Sequence, residues 1–319
     1  MDRHAALRDY FCDKDATAIP TRDGWILTLA WTDDFDRYVD PNLAIGLNWW
    51  DKDITPAGMV RGIRNSERLL VSFYDTWALF GWSEWLNGRS GSDTSSVVIL
   101  HVDDHRDLGS PRLFIEESGL RDPLTGHSVD LYNPYSIRCA ILSGAVGMGS
   151  FMTPFIRTVP NVQVRHLCQP PKATMTRSYQ ILSREENDCL LNKDARRPVT
   201  CLREEADAVG PGTYRVTPYM EEWLSEIGSG PILLHIDMDY FNNRYDGDSA
   251  WCDRSDKLDP PVHRILSKID ELTNALSNTE IASRIEHTAV SFSPGFFPAE
   301  YWRAAADRLI PALERLHGS

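Results

Sequence analysis

Two short segments of the chain carry acids and histidines at alternating positions. The first reads H-V-D-D-H-R-D at 101–107, and the second reads H-I-D-M-D at 235–239. Each follows an apolar run typical of a buried strand, and alternate residues of a strand share one face. If the two strands are neighbours, four carboxylates and an imidazole meet at one edge. The candidate metal ligands are Asp103, His105, Asp107, Asp237 and Asp239.

Carboxylates held this close together cannot all stay ionised without a cation, because each raises the pKa of the others. Oxygen-rich sites with few nitrogen ligands suit Mn²⁺ or Mg²⁺ better than structural zinc. Two such ions bridged by shared carboxylates could activate a water molecule and orient a substrate. Acids at the ends of buried strands are the plainer interpretation, but the repeated H-x-D-x-[H/D] pattern favours a metal site.

The rest of the pattern alternates between strands and helices. Strands are predicted at 25–31, 43–50, 97–103, 162–167, 179–182, 231–239 and 288–292, and helices at 66–86, 132–146, 218–227, 262–276 and 298–316. Residues 87–96 have the composition of a loop. This alternation predicts an α/β fold with a mainly parallel sheet, in which sites form beyond the carboxyl ends of the strands.

The two acidic motifs resemble those of the ureohydrolases, the superfamily of arginase and agmatinase, whose metal motifs are D-x-H-x-D and D-x-D. The segments HVDDHRDLGSP at 101–111, DYFNNRYDGD at 239–248 and VSFSPGFFP at 290–298 resemble the peptide arginases in particular. The resemblance covers residues ~95 to ~300. It implies a three-layer α/β/α, arginase-like fold and two Mn²⁺ per chain. The implied substrate is a ribosomally synthesised precursor peptide, whose arginine side chains are hydrolysed to ornithine and urea.

The same resemblance implies individual metal roles. Asp103 and Asp237 would bridge both ions, Asp107 would complete one site, and His105 and Asp239 the other.

The chain departs from the superfamily pattern at two points. Arginases have a further histidine ligand in an upstream G-G-D-H segment, whereas the one histidine before residue 101 here is His4. Asp75 and His101 are the candidate replacements, and the occupancy of one site is left open. The acid that follows D-x-D in the superfamily is Asn242 here.

Other polar residues are candidates for catalysis and substrate binding. His127 could protonate the leaving amine, since histidine titrates near neutral pH, although a surface loop position suits it equally. Asp104 is a second catalytic candidate. A guanidinium group is donor-only and needs acceptors nearby. The candidate substrate-binding residues are Asp246, Asp248, Glu286, Ser293 and Asn243.

Composition bounds the remaining possibilities. The chain has 319 residues and a net charge of −13, which argues against nucleic-acid binding and suits a cationic substrate. It has no apolar run long enough for a transmembrane helix and no signal-peptide core, so we expect a cytoplasmic protein without membrane contact. The six cysteines form no C-x-x-C pair, which indicates reduced thiols. We expect a single domain over 1–319, with residues ~1–65 as an extension of the sheet.

Two alternative functions remain at this point. A small-molecule ureohydrolase or an amidohydrolase would share the metal chemistry, and a degenerate peptide-binding protein would lack it. The missing upstream histidine favours the second alternative. The oligomeric state and the identity of the peptide are not encoded in any motif.

Overall fold

The computed structural model describes residues 10–11, 14–89, 96–277 and 280–318. The described strands are β1 Asp15–Pro20, β2 Trp25–Ala30, β3 Ile63–Asn65, β4 Leu69–Ser72, β5 Val98–Val102, β6 Phe114–Glu116, β7 Gly119–Arg121, β8 Ser128–Val129, β9 Gln163–Leu167, β10 Arg177–Asn187, β11 Arg196–Glu204, β12 Thr213–Thr217, β13 Ile232–Asp237 and β14 Ile285–Ser291. The described α-helices are α1 Leu43–Trp50, α2 Trp77–Leu86, α3 Pro134–Ser143, α4 Met152–Thr158, α5 Met220–Trp223, α6 Val262–Ser277 and α7 Trp302–Gly318.

Nine of the described strands form one mixed sheet. Their order is β11-β10-β12-β9-β5-β13-β14-β4-β3. The six strands from β12 to β4 run parallel, whereas β10, β11 and β3 run antiparallel to their neighbours. The predicted α/β class is therefore confirmed with a large mixed sheet, and the finer arginase-like, three-layer arrangement stays a prediction.

The two central strands are buried along their whole length. Every residue of β5 and of β13 is buried, as expected of strands covered on both faces. Helix α2 packs against β14 and α3, and α6 packs against α7. These contacts belong to one continuous apolar core. The strands that end in the acidic motifs are thus held on both sides by parallel neighbours.

Most predicted elements are found, with shifted ends. Both ends of α3 have caps: the Asn133 side chain accepts a hydrogen bond from Tyr135 N, and Gly144 ends the helix with φ 83°. The predicted helix at 218–227 is reduced to α5. The predicted loop at 87–96 lies partly outside the described residues.

Two predicted elements are wrong. Residues 43–50 were predicted as a strand but form α1, in which Leu43, Gly46, Leu47 and Trp50 are buried. That spacing is helical, and the apolar residues between them masked it. The predicted helix at 66–86 is in fact β4 followed by α2. The four-residue strand is joined to the helix by a turn without glycine or proline, so no sequence signal separates them.

The described part of the N-terminal segment forms a small sheet of its own and adds one short strand to the main sheet. β1 and β2 pair with each other in a separate two-stranded sheet. Their buried Ala16 and Ala18 pack with Leu190 and Leu191 rather than with the main core. Of the described strands before residue 66, β3 is the one that joins the nine-stranded sheet. Across the described ranges, no helix is both long and apolar enough to cross a membrane.

A close backbone contact fixes the start of the two central strands. A Cβ atom placed on Gly230 would lie 1.6 Å from the carbonyl oxygen of Ser96. We expect Gly230→Ala to destabilise the fold by about 1–3 kcal/mol, because the two backbones must separate. Thermal unfolding measures this as a midpoint lower by a few degrees. Gly318→Ala is the control, since no atom lies within 4 Å of its added Cβ. An unchanged midpoint for the Gly230 variant would contradict the contact.

Candidate metal centre

The two acidic motifs lie side by side at one edge of the sheet. β5 and β13 are parallel neighbours, and Val102 pairs with Ile236. Asp103 follows β5 and Asp237 ends β13, so the register places the two acids next to each other. Asp239 lies one turn further on, in the short 3₁₀ helix Met238–Tyr240. The predicted convergence of the two motifs is therefore present in the structure.

A first group of potential ligands comprises His101, Asp103, Asp107 and His235. All four are buried, and one ligand atom from each lies within 4.8 Å of the others. The Oδ2 atoms of Asp103 and Asp107 have no hydrogen-bond partner among the described residues. Two buried carboxylate oxygens without a donor carry a large desolvation cost, which a bound cation would remove. The donor set therefore fits a metal ion.

A second group shares Asp103 with the first. Its other members are His105 and Asp239. The Nδ1 atom of His105 lies 2.8 Å from Asp239 Oδ2 and 3.7 Å from Asp103 Oδ1. Two adjacent groups with one carboxylate in common are what a bridged pair of ions requires.

Asp237 lies at the centre but belongs to neither group. Its Oδ1 accepts a hydrogen bond from Asp239 N at 3.0 Å, and its Oδ2 accepts from Ser291 Oγ at 2.8 Å and Ser293 Oγ at 2.5 Å. Ser293 reaches this position with φ 44°, a conformation that is rare for serine. The bridging role of Asp237 stays a prediction, and its carboxylate is held in place by three donors.

Burial and like charge raise the pKa values of the central acids. Burial is the main reason that the pKa values of Asp103 and Asp237 lie well above their usual range, and the neighbouring carboxylates add to it. Burial also raises the pKa of Asp107, to about 6. Burial acts to lower the pKa of His105 and to raise that of Asp239. Their mutual attraction and hydrogen bonds outweigh burial, so the pKa of His105 is raised and that of Asp239 is lowered.

A third acidic group already contains a cation from the chain itself. Asp104, His105 and Asp246 are close enough to share an ion. The Lys172 ammonium lies 3.0 Å from Asp104 Oδ2, 2.7 Å from Asp246 Oδ1 and 2.8 Å from His105 Nε2. Asn243 Nδ2 donates to Asp104 Oδ2 at 2.6 Å and to Asp246 Oδ1 at 2.8 Å. Three residues predicted for catalysis and substrate binding thus form a network beside the ligands.

Three histidines cross the sheet beneath the acids. His166, His101 and His235 are in register on β9, β5 and β13. The ring centroid of His101 lies 4.5 Å from that of His166 and 5.1 Å from that of His235. All three rings are buried, and burial lowers their pKa values, to about 3 for His166 and His235 and well below the ordinary value for His101. The row is therefore neutral.

The hydrogen bonds of His101 fix its tautomer. Its Nε2 lies 3.0 Å from the carbonyl oxygen of His105, which can only accept, so Nε2 carries the proton. Its Nδ1 then accepts from His235 Nδ1, 3.0 Å away. The nitrogens of His101 and His235 that face the acids are thus already engaged. Although both lie within reach of an ion, their bonds favour support of residues 103–107, which we call the ligand loop, over direct coordination.

His166 holds the same loop from the other side. Its Nε2 donates to the carbonyl oxygen of Asp103 at 2.9 Å, and its Nδ1 accepts from Tyr214 Oη at 2.6 Å. The buried imidazoles of His101 and His166 therefore hold the backbone carbonyl groups of His105 and Asp103, respectively.

A cavity of about 600 Å³ opens above the acids, a size typical of ligand sites. We call it the central cavity. Its charged lining residues are Asp75, Asp107, Asp237, Asp239, Arg37, Arg106 and His105. Its larger uncharged lining residues are Tyr38, Tyr74, Leu108, Met148 and Phe296.

Asp75, a predicted replacement for the missing ligand, lies in this cavity on the β4 side. Its Oδ2 accepts from Gly149 N at 2.7 Å. It belongs to neither of the two ligand groups, so its role as a ligand stays a prediction.

Three predicted site residues are not brought to the centre. Glu286 is the second residue of β14, five residues before Ser291, and therefore lies roughly 17 Å away along the strand, near its opposite end. There it accepts from Trp85 Nε1 and Arg89, and the prediction for Glu286 is corrected. His127 is exposed in the turn between β7 and β8. Asp248 accepts from Ala250 N in a local turn and does not line the central cavity.

Sequence reasoning missed Lys172. It follows β9, the neighbour of β5, and comes directly after the pair Pro170-Pro171. The rule that placed the acids at strand ends would have placed Lys172 there too, had β9 been assigned next to β5.

Known proteins give no further indication. No model of a protein family matches the chain, and no curated protein matches it either.

The raised pKa values predict how metal binding depends on pH. Acids with raised pKa values make the metal-free fold less stable as pH rises through those values, because the unfolded chain releases the protons more readily. A divalent ion removes this loss. We expect about 1 mM MnCl₂ to raise the midpoint of thermal unfolding more at about pH 7.5 than at about pH 5.5.

Asp103→Asn should abolish this stabilisation, whereas Asp248→Asn should retain it. Equal stabilisation at both pH values, or none by any divalent ion, would contradict a metal site.

The histidine row predicts an effect on metal affinity. We expect His166→Phe and Tyr214→Phe to weaken Mn²⁺ binding about 10- to 100-fold, because the Asp103 carbonyl or its imidazole partner loses a fixed hydrogen bond. Titration with calorimetric detection measures the affinity. His287→Phe is the control, since His287 is also buried but lies roughly 13 Å before Ser291 along β14. If all three variants lower the midpoint of thermal unfolding and none weakens Mn²⁺ binding, the row does not position the ligands.

Proposed function

We propose that this protein is a manganese-dependent ureohydrolase of the peptide arginase type. It would convert arginine side chains of a ribosomally synthesised precursor peptide to ornithine, with release of urea. One observation carries the proposal: two ion-sized groups of ligands share Asp103, and their members Asp107, His105 and Asp239 line a cavity large enough for a side chain.

The donor set supports manganese or magnesium more than zinc. The first group offers two carboxylates and two imidazoles, and its imidazoles already form other hydrogen bonds. The second group offers two carboxylates and one imidazole, and no cysteine belongs to either group. Asp103, Asp107, His105 and Asp239 would hold the ions, with Asp237 between them. When bound, such ions activate water at neutral pH and stabilise the charge that develops during hydrolysis.

The chain's own residues would prepare the reaction. Ser291 and Ser293 orient the Asp237 carboxylate, and the His101 and His166 imidazoles fix the backbone of the other ligands. Such prior alignment lowers the cost of reaching the transition state.

The central cavity also matches the two parts of an arginine side chain. The acidic floor attracts the guanidinium, and Asp75 provides a further carboxylate acceptor on the β4 side. Tyr38, Leu108 and Phe296 would pack against the aliphatic stem and exclude water. Addition of one water to the guanidinium carbon, with cleavage of its bond to the side-chain nitrogen, yields urea and the ornithine amine.

Mass spectrometry of an arginine-containing peptide tests the proposal. Incubation with protein and Mn²⁺ should remove about 42 Da per modified arginine, the mass of a CN₂H₂ unit, if a metal-assisted hydrolysis releases urea. Asp237→Asn should reduce the rate by more than the 10- to 100-fold typical of losing a group that only orients a ligand. Asp248→Asn should leave it unchanged.

Parallel incubations with free arginine and agmatine separate the alternatives. Urea from these compounds but not from peptides would indicate a small-molecule ureohydrolase. Bound manganese without urea from any of the three would refute hydrolysis of a guanidinium.

A further inference from the structure

A second cavity lies on the other side of the ligand loop. It has a volume of about 570 Å³ and shares His105 and Arg106 with the central cavity. Its cationic lining residues are Arg106, Lys172 and Arg177, and the one acid among its described lining residues is Asp104. We call it the basic cavity. The central cavity has four acids where the basic cavity has one.

Two of the three cations in the basic cavity keep most of their charge available. Lys172 is neutralised by its ion pairs with Asp104 at 3.0 Å and Asp246 at 2.7 Å. Among the described residues, Arg177 has only a long contact, 3.8 Å, with the exposed Glu204, and Arg106 is exposed. These two arginines therefore favour an anion in this cavity.

Arg106 is the cation best placed to bind a ligand. It is exposed, forms no ion pair with any described residue, and lies between the predicted ligands His105 and Asp107. Its guanidinium carbon lies 5.5 Å from the ring centroid of Tyr179, which is buried. This contact with an aromatic face directs the charge toward the basic cavity.

We propose that the basic cavity is a subsite for an acidic side chain of the precursor peptide, one or two positions from the arginine that enters the central cavity. The inference rests on the proposed function. The cavities meet at two shared residues, and an extended peptide advances roughly 3.3 Å per residue. A neighbouring aspartate or glutamate would therefore reach Arg106 and Arg177 while the arginine occupies the acidic floor.

Matched synthetic peptides test this subsite. Each has one central arginine, blocked ends and glutamate, glutamine or lysine at the neighbouring positions, so that the neighbour alone changes the charge. We expect kcat/KM at least about five-fold higher for the glutamate peptide than for the lysine peptide, mainly through KM, as one or two partly exposed ion pairs would give.

Charge reversal in the cavity should reverse this ratio. Arg106→Glu and Arg177→Glu should each reduce or invert the preference for glutamate. Arg177 begins β10 and is not part of the ligand loop, so its variant separates the subsite from the metals. Arg303→Glu is the control, because Arg303 is an exposed residue of α7 outside both cavities, and it should keep the wild-type ratio.

Fluorescence anisotropy of labelled peptides, measured without added metal, separates the two hypotheses. Turnover without a charge preference would overturn the subsite alone. A charge preference in binding that Arg177→Glu removes, with no turnover of any peptide, would support the subsite and overturn the proposed hydrolysis. Equal binding of all peptides together with no turnover would overturn both.

Discussion

The repulsion among buried carboxylates at the ends of β5 and β13 is the constraint around which this site is built. Asp103, Asp107 and Asp237 are removed from water within a few ångströms of one another, so their charged forms are disfavoured twice, by desolvation and by like charge. A fold keeps such a cluster when something else compensates the charge. Donors from Ser291 and Ser293 compensate Asp237 in part, but the outward oxygens of Asp103 and Asp107 have no described donor.

Residues with positive φ angles are frequent at the acidic cluster. Among the described residues, five that are not glycine have positive φ. Three of them, Asp107, Asp246 and Ser293, belong to the acidic cluster or contact it. Each such conformation costs of order 1 kcal/mol or more and persists where the surroundings enforce it. Three of the five unusual conformations therefore lie where side chains converge on the acidic cluster.

The sequence predicted the convergence of the acids but not their surroundings. The two buried strands were sufficient to place Asp103, His105 and Asp239 together, because all three follow the adjacent carboxyl ends of β5 and β13 within three residues. Glu286 was misplaced although it precedes the predicted strand at 288–292, because the rule that sites form beyond the carboxyl ends of strands was not applied to it. Lys172 was missed because its contact with Asp104 depends on strand order. Strand order arises from packing of the whole core, which no local pattern encodes.

The three acidic groups differ in where their compensating charge originates. Lys172 provides a tethered cation for Asp104 and Asp246, and Arg254 adds another at 2.9 Å from Asp246. No lysine or arginine of the described chain pairs with Asp103 or Asp107. A lysine ammonium carries a single positive charge on a flexible side chain. The two adjacent ligand groups that share Asp103 need a larger positive charge within a smaller volume. The chain therefore supplies its own cations at the rim, whereas the ligand groups at the buried centre could hold a metal ion.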